Sequence, residues 1–178
     1  RAMPSHPAIS RPATCRPLHA QQPQATPGHR VLCLAYEQAM SLDITGPLQV
    51  FATANDVRAR QGLAPFYAIE LLAAQAGPVT TSCGLQMLAP RAWQDCQPDA
   101  NCTVLVPGGD GVDAAQHDPA LRQWLLAAEP VVQRMGSVCS GALILARAGL
   151  LQGRSATTHW CRVQELSDAH PDIQVDHD

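Results

Sequence analysis

The chain has 178 residues, of which 46% are hydrophobic, with no lysine and with twelve arginines against fifteen acidic residues. That apolar content can bury one good core and so one main domain. No apolar run reaches the roughly 18 residues that a bilayer span needs, and no basic stripe offers a nucleic-acid surface. Seven cysteines form no Cys-x-x-Cys pair and no Cys/His ligand spacing, which argues against a zinc site. Their odd number fits reduced thiols in a cytoplasm better than a disulfide framework, and no cofactor is expected.

Residues 1–30 hold four arginines, six prolines and no acid, so a disordered leader or upstream extension is expected there. Four scattered arginines are few for counterion release, so this segment is not read as a nucleic-acid arm. Residues 31–178 read as one α/β domain. Val31 to Ala35 is a continuous apolar run, the signature of a strand buried on both faces. Gly46-Pro47 then opens a helix with Leu48, Val50, Phe51, Ala54 and Val57 on its inner face, ended by Gly62. Tyr67 to Ala73 is a second strand, and Val79 to Met87 a hairpin around Cys83-Gly84. Cys102 to Val106 is a third buried strand, stopped by Pro107-Gly108-Gly109. Asp118-Pro119 starts a helix with Leu121, Trp124, Leu125 and Ala128 facing inward. A strand follows around Val131-Val132 and Gly136 to Val138, then a helix from Cys139 to Gly149. Ser155 to Thr158 reads as a further strand and Trp160 to Ala169 as a further helix. Strands separated by helices of this length imply a parallel sheet covered on both faces.

In open α/β sheets, ligands bind outside the carboxyl ends of the strands. Three segments leave strands at that edge: Ser41 to Pro47, Pro107 to Val112, and the turn holding Cys139. A thiol at a strand-to-helix turn points into the positive end of the helix dipole, which favours the thiolate and lowers its pKa. Many free cysteines are simply buried. Here Gly136, Ser140 and Gly141 are the small residues a sharp turn requires, which favours chemistry at Cys139. Asp43 either orients the thiol and shuttles a proton or, like Thr45, caps the helix beginning near Pro47. The Gly108 and Gly109 amides suit an anion or a developing oxyanion, or the loop merely needs positive φ. It is not a phosphate loop, because no Gly-Lys-Ser/Thr follows. Gly46 and Gly141 complete the candidate ligand-binding edge. His159 follows the next strand and is placed to accept the thiol proton, although an isolated histidine is more often structural. The other six histidines are assigned no role.

Leu42-Asp-Ile-Thr-Gly-Pro-Leu-Gln-Val-Phe51, Val106-Pro-Gly-Gly109, Ser137-Val-Cys-Ser-Gly-Ala142 and Ala148-Gly-Leu-Leu-Gln-Gly-Arg-Ser-Ala-Thr-Thr-His-Trp160 occur in that order. From about residue 30 onward they resemble the ThiJ/PfpI superfamily. More narrowly they resemble its GlxA-type branch, in which such a domain precedes an AraC-type helix-turn-helix DNA-binding domain. The resemblance implies a flavodoxin-like three-layer sandwich of class I glutamine amidotransferase-like type, with a mainly parallel sheet and usually dimeric. It implies that Cys139 occupies the nucleophile elbow, that Asp43 is the nearby acid and that His159 lies close to the thiol. Ser140 stands where this branch often has threonine and keeps the hydroxyl. Relatives continue past His170 to Asp178 to finish the sheet, add a closing helix and enter the DNA-binding domain. A C-terminally truncated fragment is therefore expected.

Two functions fit. The favoured one is the ligand-sensing domain of a transcriptional regulator, because Ala148 to Trp160 resembles the regulator branch closely. A small metabolite, such as the amino acids and amines that sensor relatives respond to, would bind at the Cys139 cleft of a homodimer. DNA would be touched only by a domain not included in these residues. The alternative is an enzyme similar to isonitrile hydratase, of the same superfamily. There Asp43 would pass a proton, Cys139 would attack the substrate carbon, and Ser140 with the Gly108 and Gly109 amides would hold developing charge. A peptidase or amidase fits less well, because the acid of the peptidase triad cannot be assigned.

Overall fold

Residues 28–176 are described by a computed structural model, so all but the last three residues of the expected leader lie outside them. The first strand, β1 (His29–Leu34), is followed by the long helix α1 (Ser41–Arg60) and by β2 (Tyr67–Ala73). Next come the strands β3 (Gly77–Thr80) and β4 (Gln86–Ala89), the two-residue β5 (Arg91–Ala92), and β6 (Cys102–Val106). The second half holds α2 (Val112–Ala115), α3 (Pro119–Ala128), β7 (Arg134–Ser137), α4 (Ala142–Arg147), β8 (Ser155–Ala156), α5 (Val163–Ala169) and β9 (Gln174–Val175).

The main sheet has the order β5-β2-β1-β6-β7, and every pairing in it is parallel. Flanking helices complete the mainly parallel α/β sandwich that the sequence predicts. β3 and β4 form an antiparallel hairpin, and β8 pairs with β9 apart from the main sheet. From β1 the chain moves outward to β2 on one side and returns to β6 on the other. The strand order therefore reverses around the carboxyl ends of β1 and β6, where such sheets open a crevice.

The buried runs behave as their composition demands. Val31 to Ala35 are wholly inaccessible, as are Cys102, Val104 and Val106 opposite them. Leu121, Trp124, Leu125 and Ala128 all face the core from α3. That helix begins where Asp118-Pro119 says it should: the Asp118 carboxylate accepts from the Ala120 and Leu121 amides at 2.8 and 3.2 Å. β1 starts two residues before Val31. His29 is buried with Nε2 2.8 Å from the Thr103 hydroxyl, and burial, aided by the Arg134 charge, holds its protonation down.

Several boundaries differ from expectation. α1 starts at Ser41, not at Gly46-Pro47, because Ile44 is wholly buried and the Met40 carbonyl already receives the Asp43 and Ile44 amides. Pro47 thus lies inside the helix, where the donor it lacks would have bonded the Asp43 carbonyl. The expected inner row of α1 holds in part: Leu48, Phe51 and Ala54 are half-buried, Leu48 packing against the core, whereas Val50 and Val57 are exposed, and Ile44, outside that row, is the buried anchor. Val131 and Val132 belong to the turn ending α3, since both amides bond to the Ala128 carbonyl, and β7 begins only at Arg134. The strand expected over Ser155 to Thr158 shrinks to two residues. Among the described residues no helix is long and apolar enough to cross a membrane.

Removing the Asp118 cap by Asp118→Ala is expected to lower the unfolding free energy in a urea titration by about 1 kcal/mol. Asp118→Asn, which keeps an acceptor, should recover most of that loss.

Candidate functional site

At the end of β6 the Val106 carbonyl accepts from the Val138 amide at 2.9 Å, so the ladder to β7 runs one residue beyond the strand itself. The chain then breaks at Cys139, whose φ is +54°. A side-chain-bearing residue in this left-handed region is strained by about 1–3 kcal/mol and persists only where its surroundings dictate it. A short turn, Cys139–Gly141, leads from there into α4.

Two glycines make the turn possible. A Cβ on Gly141 would lie 2.3 Å from the Val106 carbonyl oxygen and 2.7 Å from that of Pro107. One on Gly108 would lie 2.6 Å from the Ser140 hydroxyl and 2.7 Å from the Ser140 amide. Both approaches exclude any side chain. With the gap closed, the Gly109 amide donates to the buried Ser140 Oγ at 3.2 Å and the Gly108 amide donates to Asp43 Oδ2 at 3.0 Å. Met40 ties the start of α1 to the same loop, its amide donating to the Gly108 carbonyl at 2.8 Å.

Asp43 is therefore a member of the site and not a helix cap. Thr45 is not a cap either, since its hydroxyl donates to the Ser41 carbonyl at 2.9 Å, within the helix. Cys139, Asp43, Ser140, Gly108, Gly109 and Gly141 converge as the sequence predicts. Gly46 does not join them: it sits inside α1, and a Cβ there would meet only Leu42, at 4.0 Å. His159 does not join them either. Its Nδ1 is 2.9 Å from the Cys161 sulfur and accepts from the Cys161 amide, and none of its described contacts reaches Cys139.

The electrostatics of the thiol reverse the expectation of a dipole-lowered pKa. Burial pushes the Cys139 thiol up, and the charge and hydrogen bond of Asp43 push it further, while the Ser140 amide and hydroxyl pull it down. The helix that should favour the thiolate is the six-residue α4, entered through a tight turn. Its half-charge is outweighed by a full carboxylate in hydrogen-bond contact. The expected oxyanion donors are also engaged, because Gly108 and Gly109 spend their amides on Asp43 and Ser140.

One member of the site went unread in the sequence. Tyr36, just past β1, is buried and donates its hydroxyl to the Pro107 carbonyl at 2.6 Å. Burial, then the charges of Asp43 and Cys139, keep its phenol protonated. Tyr36 also lines a cavity of about 400 Å³ at the carboxyl ends of β1 and β2, beside Glu37, Trp93, Gly111 and Asp118. The available signal was an aromatic residue immediately beyond the exit of a fully buried strand. Behind the site, burial and Asp43 push the Cys33 thiol up to about 12, which leaves it inert. Among the described residues no three His, Cys, Asp or Glu side chains gather in a metal-holding arrangement.

Comparison with known proteins bears on the fold that carries this geometry. Residues 29–174 match the family model described as the DJ-1/PfpI family. Over 146 residues the chain is 36% identical to an uncharacterised protein in the cpoL 5′ region of Streptomyces lividans, covering 80% of this chain and 96% of that protein. It is 37% identical over 127 residues to isonitrile hydratase of Pseudomonas putida, covering 71% of this chain and 50% of the enzyme. It is 34% identical over 134 residues to the HTH-type transcriptional regulator GlxA of Rhizobium meliloti, covering 73% of this chain and 40% of the regulator. The chain thus spans half of the enzyme and less than half of the regulator. Among solved structures, a ThiJ/PfpI family protein from Pseudomonas syringae superposes with a TM-score of 0.69 at 28% identity, over 85% of this chain and 62% of that one.

Removing the Asp43 charge should lower the Cys139 pKa, because that charge opposes the thiolate. In Asp43→Asn, Cys139 alkylation by iodoacetamide is expected to speed up at neutral pH and its midpoint to move to lower pH. A midpoint that stays in place would remove Asp43 as a cause.

Proposed function

Because the chain belongs to the DJ-1/PfpI family, we propose that it is the ligand-sensing domain of a GlxA/AraC-type transcriptional regulator, acting in the cytoplasm as a homodimer. A small metabolite binds at the Cys139 cleft, and DNA is contacted by a separate domain that these residues do not include. The similarity to the GlxA regulator supports this reading. The observation that carries it is the hydrogen bonding around the thiol. Burial and Asp43 favour its protonated form, and the neighbouring glycine amides are already taken. Such a cleft offers a neutral thiol, a carboxylate and a hydroxyl as fixed recognition groups. Asp43 supplies the charge that the ammonium group of an amino acid or amine pairs with. The apolar residues left exposed on α1 (Leu42, Val50) and on the hairpin (Leu85, Leu88) support self-association.

A second reading, a hydro-lyase like isonitrile hydratase, is supported by the similarity to that enzyme and by the contact between the Cys139 thiol and Asp43. In it, Cys139 sulfur bonds to the isonitrile carbon while the thiol proton passes through Asp43 to the same carbon. Water then adds to that carbon, the C–S bond breaks, and a formamide leaves with the thiol restored.

One experiment separates the two. A panel of amino acids and of primary and quaternary amines is titrated while thermal unfolding and Cys139 alkylation are followed. At least one compound should raise Tm and slow alkylation, and both effects should vanish in Asp43→Asn. Formamide produced from an alkyl isonitrile, and lost in both Cys139→Ala and Asp43→Asn, would replace the sensor with the enzyme. Light scattering should give twice the chain mass, falling to the chain mass when Val50 and Leu88 are changed to Glu.

A further inference from the structure

The histidine that the sequence pairs with Cys139 serves a different sulfur. His159 Nδ1 lies 2.9 Å from Cys161 Sγ, and the Cys161 backbone N–H donates to the same nitrogen at 3.3 Å. A backbone N–H is only ever a donor, so Nδ1 accepts, and the neutral ring carries its proton on Nε2. The hydrogen between Sγ and Nδ1 is then the thiol's own, directed at a lone pair. That is a nucleophile with its base in contact, and transfer of the proton leaves thiolate beside imidazolium.

The surroundings make the pair accessible and hold it in place. Cys161 is exposed, and the Trp160 ring, itself 82% exposed, lies 5.4 Å from the imidazole. On one side Arg162 pairs with Asp113 at 2.6 Å and also with Glu165. On the other, the Thr158 hydroxyl donates to the Cys139 carbonyl at 3.2 Å, which fastens the segment to the elbow. Among the described residues no other cysteine has an imidazole partner in the hydrogen-bond pattern. Cys33, Cys96 and Cys102 are buried, Cys139 faces Asp43 and Ser140, and the exposed Cys83 meets the Ser41 and Thr81 hydroxyls and backbone groups of Leu85 and its own residue, which pull its thiol down to about 7 without any base in contact.

We propose that Cys161 is a second thiol site, separate from the Cys139 cleft, which captures small disulfides with His159 as its base. The thiol proton moves to Nδ1, and Sγ attacks one sulfur of R–S–S–R. The Cys161–S–S–R bond forms as the R–S–S–R bond breaks, and the departing thiolate takes the proton from the imidazolium to leave as RSH. Cys161 is oxidised and one half of the small disulfide is reduced, so the disulfide is the only oxidant needed. Exchange at sulfur requires no oxyanion donors, which suits a surface pair better than acyl transfer does. Trp160 offers an apolar face to the incoming R group. The adduct forms three residues from the Thr158 grip on Cys139, so the mark is laid on the segment that holds the elbow.

The test exposes the whole chain to oxidised glutathione at neutral pH and follows each cysteine by peptide mass mapping. In His159→Asn the amide oxygen still accepts the Cys161 N–H but cannot take the thiol proton. Cys161 is expected to form its mixed disulfide at least about tenfold more slowly in that variant, with the Cys83 rate unchanged as the internal check on folding. A second measurement needs no variant. In the unaltered chain Cys161 should react faster when folded than when unfolded in urea, which a merely exposed thiol does not do. Equal Cys161 rates with and without the imidazole, or a folded rate no higher than the unfolded one, overturns the proposal.

Discussion

The site rests on one steric constraint, the seating of the Cys139–Gly141 turn against the last carbonyls of β6. A Cβ on Gly141 would lie only 2.3 Å from the Val106 oxygen, so nothing larger than glycine fits. That approach forces Cys139 into its left-handed conformation, sets Ser140 against the Gly109 amide, and leaves the Gly108 amide facing Asp43. The strain of about 1–3 kcal/mol at Cys139 is of the size that two or three net hydrogen bonds of about 0.5–1.5 kcal/mol each can offset. Those bonds are visible: Gly108 to Asp43, Gly109 to Ser140, and Thr158 to the Cys139 carbonyl. The thiol is held out by its neighbours, not by its own preference.

Electrostatics then set which protonation state such a thiol favours. A helix end contributes about half a charge, screened and fading within one turn. Desolvation at the half-buried position is the larger influence, and Asp43 adds a whole charge in contact. Both larger effects favour the proton staying on sulfur. A nucleophile elbow need not carry a standing thiolate, and a protonated thiol beside a carboxylate is as suited to reading a ligand as to attacking one.

Much of the fold could be read because its two central strands are buried on both faces. Val31 to Ala35 and Cys102 to Val106 are apolar runs that no surface element would carry, Tyr67 to Ala73 is half-buried and interrupted by Glu70 yet keeps a strand-like composition, and Asp118-Pro119 marks a helix start by cap and ring together. Failures came where tertiary contact outweighed local preference. Proline favours the first turn of a helix, yet Ile44 is buried so firmly that α1 begins six residues before Pro47. Arg91-Ala92 is a strand only because β2 lies beside it, and two residues show no periodicity. At the site, Cys139, Asp43 and the glycines stood out because their chemistry requires small neighbours and a carboxyl edge. His159 was read as a partner of Cys139 because sequence order put it near that edge, where its neighbour Thr158 does bond the Cys139 carbonyl, whereas the described bonds of its own ring stay within its turn, two residues away. Tyr36 escaped because its one mark, an aromatic residue just past a buried strand, does not reveal that its phenol donates to a carbonyl 71 positions away.

The cleft joins parts that are far apart in the chain: the bond from Gly108 to Asp43 spans 65 positions, and that from Gly109 to Ser140 spans 31. None of it exists until β6 has docked on β1 and β7 on β6, and such non-local pairings are the slow part of folding. The site is thus a product of the finished sheet, and a ligand that binds there draws the equilibrium toward completion. At a hundredfold excess over its Kd, a ligand specific for the folded form adds about 2.7 kcal/mol to stability. On the proposed sensing role, occupancy would set how firmly the carboxyl edge of the sheet stays closed, a mechanical signal that requires no reaction at the thiol.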